Sequence, residues 1–298
     1  MSKLPGILSE ELNFLLTNRI PRRYATLFMN WFSRIEFAPV RALSIAAWAR
    51  FADLDLSEAR EQHFKSLNDC FTRRLKDGAR PIDPAADLLV SPCDAIVGAC
   101  GRVRGTEVFQ AKGFPYRLED LLPDPALVEQ HRDGLYVTLR LSGSMYHHFH
   151  APCDGSLEEV NYVSGDTWNV NPIALARVER LFCRNERAVL PLHTPFPGLA
   201  LTLVPVAAVL VASMRFKFLG ETLDLRYRGP NRIACKARFK KGEELGWFEQ
   251  GSTILVFASG PVELCERIQS GTRIRMGEAL LRTSDRALRD SSHAVRRP

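Results

Sequence analysis

The sequence predicts an α+β protein in which N-terminal helices precede an antiparallel, β-rich, sandwich-like domain. Two textures of the chain carry that reading. Up to about residue 80, apolar residues recur at helical spacing between short breaks at Pro21 and Pro39. After Asp77 and Gly78 the pattern becomes short β-like runs divided by Gly, Pro, Asn and Asp. The change divides the chain into a helical segment, residues 1–80, and a β-rich domain, residues 81–298.

Within the helical segment, Leu27, Phe28, Trp31, Phe32 and Ile35 fall on one helical face. The first fifty residues carry seven Lys and Arg against three Glu. Basic residues around a face bearing Trp and Phe suit a helix lying in a lipid headgroup layer. The same pattern serves a helix that packs its apolar face on its own domain, and both readings stay open here. Further on, Ser57 is placed to cap a helix over residues 57–75, with Glu58 and Glu61 in its first turn, where the helix dipole favours acids.

In the second part, residues 135–141, 156–163, 188–192, 199–204, 232–239 and 253–258 read as strands. Helices are expected near residues 116–122 and 174–182. Residues 188–214 carry no charged side chain, but Pro191, Pro195, Pro197, Gly198 and Pro205 interrupt them. That run reads as buried strands around a turn, not as a spanning helix. The tail after residue 282 is polar and expected to fray.

Composition narrows the function classes. With 298 residues, 46% hydrophobic and 25% charged, the chain has the make-up of a globular protein. A net charge of +6 suits an anionic partner, either nucleic acid or an acidic membrane surface. Seven scattered cysteines without a C-x-x-C pair argue against a zinc site and a disulfide framework, and for a reducing compartment. Glu10 and Glu11 stand where a secretion signal needs apolar residues.

Three stretches carry candidate chemistry. SPCDAIVGA places Asp94 in a turn that opens a strand. MYHHFHAPCDG holds His147, His148 and His150, of which His148 and His150 would share one face of a strand. No ligand spacing in it supports a metal. GWFEQGSTILVFA puts Gly251, Ser252 and Thr253 at the start of an apolar strand. Asp, His and Ser are the components of a nucleophilic triad, although triads are defined by geometry. No G-x-S-x-G elbow is present, which argues against an α/β-hydrolase.

FTRRLKDGARPID (71–83), SPCDAIVGA (91–99), FQAKGFPYRLEDLL (109–122), YHHFHAPCDG (146–155), SGDTWNVNP (164–172), LFCRNERAV (181–189) and KKGEELGWFEQGSTILVFA (240–258) together resemble the prokaryotic phosphatidylserine decarboxylase proenzymes. The seven stretches are collinear between residues 71 and 258. The resemblance implies self-cleavage between Gly251 and Ser252 into fragments 1–251 and 252–298, which stay together as a heterodimer, with further homo-oligomerisation left open. It implies that His150 deprotonates Ser252 while Asp94 orients the imidazole. Ser252 would become a covalent pyruvoyl group, which holds the amine of phosphatidylserine and accepts electrons as carbon dioxide leaves. His147 is the candidate for protonating the product or contacting the headgroup. Gln110, Lys112, Arg184 and Arg187 are candidates near the lipid phosphate, while R-N-E-R reads equally as a structural turn. No metal, diffusible cofactor or nucleic acid is implied. A lipid substrate and the basic, aromatic helices imply a peripheral protein on the cytoplasmic face of the cell membrane.

Two positions depart from the family pattern: Gln250 where many members have Leu, and Met145 where an Asp is common. Three rival readings remain: a non-catalytic membrane-binding module, a hydrolase that keeps Ser252 intact, and a lipoyl-type β-sandwich. The last lacks the carrier lysine.

Overall fold

The computed structural model describes residues 21–52, 54–108, 114–208, 213–249 and 253–284. Its helical part comprises α1 (Arg22–Phe32), α2 (Ala38–Ala52) and the short α3 (Leu67–Phe71). Pro21 precedes α1 and Pro39 occupies the first turn of α2, where a missing N–H costs nothing. The helix expected from Ser57 does not form. The backbone there pairs across the chain instead, with Arg60 donating to the Arg74 carbonyl and Lys76 to that of Glu58, each at 2.9 Å. The helix starts nine residues later, where the Ser66 hydroxyl accepts from the Asp69 N–H at 3.1 Å.

An eight-stranded sheet forms the body of the molecule. Its strands lie side by side in the order Arg232–Phe239, Gly155–Val163, Arg187–Leu192, Ala200–Val206, Thr253–Ser259, Leu135–Arg140, Ala95–Arg102 and Arg273–Ile274. Every neighbouring pair is antiparallel. A second sheet runs Thr222–Asp224, Ser213–Phe216, Glu244–Phe248 and His148–His150. A third joins Leu88–Val90, Ala279–Thr283 and Val262–Leu264.

The large sheet is covered on both faces, which explains why its strands read as continuous apolar runs. Ile254, Val256 and Ala258 point into the core shared with Phe149, Met214 and Phe248 of the second sheet. Leu255 and Phe257 point the other way, against Leu118, Leu121 and Phe182. The uncharged run at 188–214 is accordingly a strand pair, with Leu190 opposite Leu203. No helix among the described residues is long and apolar enough to cross a membrane.

Two short helical turns, Pro172–Leu175 and Leu181–Arg184, replace the single helix expected at 174–182. Arg180 lies between them at φ 52°, a left-handed conformation in which an α-helix cannot continue. At 116–122 the helix is a single turn, Leu118–Leu121.

Candidate active site

The two larger sheets are joined where the chain leaves Glu244–Phe248 and enters Thr253–Ser259. Gln250, Gly251 and Ser252, which make that connection, lie outside the described residues, as do Gln110 and Lys112. Thr253 is fully buried between Arg140 and Val206 of the neighbouring strands. Glu249 is buried too, and its N–H donates to the Ser213 carbonyl at 3.2 Å.

The histidine stretch runs beside the strand that leads into this connection. The His147 carbonyl accepts from the Phe248 N–H at 3.0 Å, and His148 stands opposite Trp247. His148 and His150 both meet the Tyr146 ring, which stacks on His148 with centroids 4.8 Å apart. His147 points away and lies on Phe71, with centroids 4.0 Å apart. The alternation is that of a strand.

His150 Nδ1 is 2.9 Å from the Gly242 carbonyl and Nε2 is 3.1 Å from the Tyr146 hydroxyl. A carbonyl only accepts, so Nδ1 carries the proton and Nε2 presents its lone pair to Tyr146. Gly242 has φ 80°, and a side chain there would run into Ile82. Glycine is therefore what allows the KKGEE turn to aim its carbonyl at His150. Burial lowers the His150 pKa to about 4, although the Gly242 carbonyl works the other way. Burial also pushes the Tyr146 hydroxyl well above the usual phenol range, and the nearby charges of Glu244 and Asp94 add to that shift.

His148 Nδ1 lies 3.1 Å from the Glu244 carboxylate and Nε2 lies 3.0 Å from the Thr72 carbonyl. Burial alone would raise the Glu244 pKa, but His148 and Lys217 outweigh it and bring the carboxyl down to about 2. His147 has no exposed surface, and among the described residues neither ring nitrogen has a partner within hydrogen-bond geometry. Burial lowers its pKa to about 3, and the Arg73 charge contributes. Among the described residues, the His147 ring, the Ser213 hydroxyl and the Thr253 hydroxyl are buried without a hydrogen-bond partner.

Asp94 is buried and makes a forked pair with Arg80, at 2.8 and 2.6 Å, while the Met276 N–H donates to it at 2.9 Å. Arg80 continues to Glu58 at 2.8 Å. Among the described residues no hydrogen bond joins Asp94 to His150. The imidazole is held by the Gly242 carbonyl and the Tyr146 hydroxyl. Asp94 and Tyr146 line a cavity of about 530 Å³ together with Arg73, Arg80, Arg273 and Arg275.

The two arginines of R-N-E-R both donate to backbone carbonyls, and neither forms an ion pair among the described residues. Arg187 is buried and donates to the carbonyls of Asp120, Leu121, Cys183 and Asn185. It braces the end of the Leu118–Leu121 turn. Arg184 donates to the Glu179 carbonyl at 3.0 Å. Gly242, Tyr146 and Arg80 were not singled out from sequence. The Tyr146 and Gly242 partnerships lie in stretches already marked by their motifs, but a turn carbonyl and a phenol carry no signature of their own.

A sequence model of the family described as phosphatidylserine decarboxylase matches residues 67–282. The chain is similar to proteins named phosphatidylserine decarboxylase proenzyme in three bacteria. It is 34% identical to that of Haemophilus influenzae, over 88% of this chain and 92% of the relative. The Dickeya dadantii protein is 34% identical over 93% and 94%, and that of Saccharophagus degradans 34% over 92% and 98%.

Proposed function

The chain belongs to the phosphatidylserine decarboxylase family, and on that premise we propose that it is a precursor that cleaves itself between Gly251 and Ser252 and then decarboxylates phosphatidylserine to phosphatidylethanolamine. One observation carries the reading. A neutral, fixed histidine on the strand His148–His150, and next to it a buried histidine without a hydrogen-bond partner among the described residues, lie beside the strand that leads into Gly251–Ser252.

In the first reaction Nε2 of His150 takes the hydroxyl proton of Ser252 as Tyr146 releases it. The Ser252 oxygen attacks the Gly251 carbonyl, the C–N bond breaks, and an ester replaces the peptide bond. Elimination releases Gly251 as a carboxylate and leaves a dehydroalanine at position 252. Addition of water and loss of ammonia give the pyruvoyl group. That group supplies a ketone for the substrate amine and a sink for the electrons left when carbon dioxide departs. The buried hydroxyls of Ser213 and Thr253, which have no partner among the described residues, are suited to hold it. His147, neutral and dry, is suited to deliver the proton that replaces carbon dioxide.

The two fragments stay associated because Thr253–Ser259 lies in the middle of the large sheet, between Leu135–Arg140 and Ala200–Val206. Contact with an anionic lipid surface falls to the helices. On α1, Tyr24, Phe28 and Trp31 are 75%, 56% and 63% exposed, and Phe37 and Leu43 beyond it are exposed as well. Aromatic rings at a wet surface suit the headgroup layer. The seven unpaired cysteines fit a reducing compartment, and with it the cytoplasmic face of the membrane.

The test is the intact mass of the purified protein under denaturing conditions. Two chains are expected, one ending at Gly251 and the other lighter by one ammonia than residues 252–298. A single uncleaved chain from active material would overturn the mechanism.

A further inference from the structure

The aromatic side of α1 faces outward, and the helix is seated by polar groups. Its one buried residue is Thr26, whose hydroxyl lies 3.4 Å from that of Thr167. At the N-terminal end Arg22 lies over the Trp168 ring at 3.7 Å and pairs with Asp166 through Nε at 3.0 Å. Just past the C-terminal end, Arg34 is held by Asn30 at 2.9 Å and forms an ion pair with Glu249. Glu249 accepts a second guanidinium, that of Arg215, at 3.0 Å.

One anchor point adjoins the chain that flanks the scissile bond, and the other is linked to it through a relay of hydrogen bonds. Glu249 is two residues from Gly251 in sequence. On the other side, Asp166 exchanges backbone hydrogen bonds with Arg184 and Glu186, at 2.8 and 2.9 Å. The Asn185 amide then donates to the Ala207 carbonyl at 2.8 Å. Ala207 follows Val206, the strand partner of Thr253.

We propose that Glu249 is a positioning residue for self-cleavage, clamped between Arg34 and Arg215, and that α1 is thereby part of the processing apparatus as well as the lipid-facing helix. The inference rests on the cleavage reading above. A buried carboxylate with two guanidiniums has a fixed place, and attack on the Gly251 carbonyl depends on alignment to within about 1 Å. Arg34 and Arg215 are each 43% exposed, so loss of the carboxylate leaves both solvated and the fold intact.

The experiment follows the cleaved fraction with time after synthesis of the full chain, read by denaturing mass, for wild type, Glu249→Gln, Arg34→Gln and the double variant. Glu249→Gln should slow cleavage about tenfold or more. Arg34→Gln should slow it by less, and the double variant should be no slower than Glu249→Gln alone, since one contact is being removed twice. The unfolding midpoints of the same substitutions in a Ser252→Ala background should match that of Ser252→Ala itself. Wild-type rates in both single variants would overturn the proposal. So would a loss of rate matched by a loss of stability, because a merely structural role predicts that. Wild type failing to cleave at residues 251 and 252 would instead sink the underlying reading, and the wild-type sample reports this separately.

Discussion

His150 is neutral because its surroundings are dry and its Nδ1–H has a fixed acceptor in the Gly242 carbonyl. With its pKa lowered to about 4, the free-base form is available far below the 6.5 of an ordinary histidine. The initial rate of self-cleavage, measured on fresh precursor, should therefore hold from neutral pH down to about 5 and fall only as pH nears the lowered pKa. A midpoint near 6.5 would show a solvated base instead. Asp94 makes a different prediction. Its partner is Arg80, almost buried beside it, so Asp94→Asn leaves a guanidinium with one carboxylate fewer. Denaturant unfolding in a Ser252→Ala background should show a loss of about 3 kcal/mol, the scale for breaking a buried ion pair. At this scale the sequence named the candidate residues by type and motif. It did not name their partners, because a turn carbonyl and a phenol are brought in from residues 92 positions and 4 positions away by strand register.

At the scale of elements, α1 shows how periodicity can be read correctly and still leave the environment undecided. The spacing of Phe28, Trp31 and Phe32 requires one apolar face, and the rings do cluster, Phe28 lying 5.7 Å from Trp31 and 5.9 Å from Phe32. Whether that face looks inward or outward depends on what the opposite side finds. Here Asp166, Thr167 and Glu249 bind the polar side, so the rings are left outside. Replacing Phe28 and Trp31 by Ser should weaken flotation with anionic phospholipid vesicles by roughly tenfold per residue, given about 1.5–3 kcal/mol per buried aromatic side chain. The unfolding midpoint should stay where it is, since neither ring packs on the β-rich domain. Equal vesicle binding by the variant would remove α1 from the lipid contact. The failed Ser57 cap has the same origin: residues 58–60 are good helix formers that found backbone partners at 74–76.

Over the whole molecule, the two-faced sheet buries titratable groups whose effects on stability have opposite signs. His131, His147 and His150 have pKa values lowered by burial to about 4, 3 and 4. Each is neutral in the folded chain and takes up a proton near 6.5 when unfolded. Their contribution is complete above that pH and is lost as pH falls toward the folded values. Glu186 is raised to about 8, burial being the largest cause, so it stays protonated when folded and its contribution is lost as pH rises from the ordinary carboxyl range through 8. Three groups outweigh one, and the unfolding midpoint of the Ser252→Ala precursor should fall on acidification below about 6.5. A flat profile would show that water reaches these histidines.

The sequence by itself determined the fold class, six of the strands and the family, because alternation, apolar runs and seven collinear motifs are properties of the chain order. Only the tertiary structure decided that Arg187 braces a turn, that Asp94 binds Arg80, and that α1 turns its rings outward and reaches Glu249 across 215 residues of sequence. Those facts follow from which surfaces meet when two sheets and a helix close on one another, and no local pattern encodes that meeting.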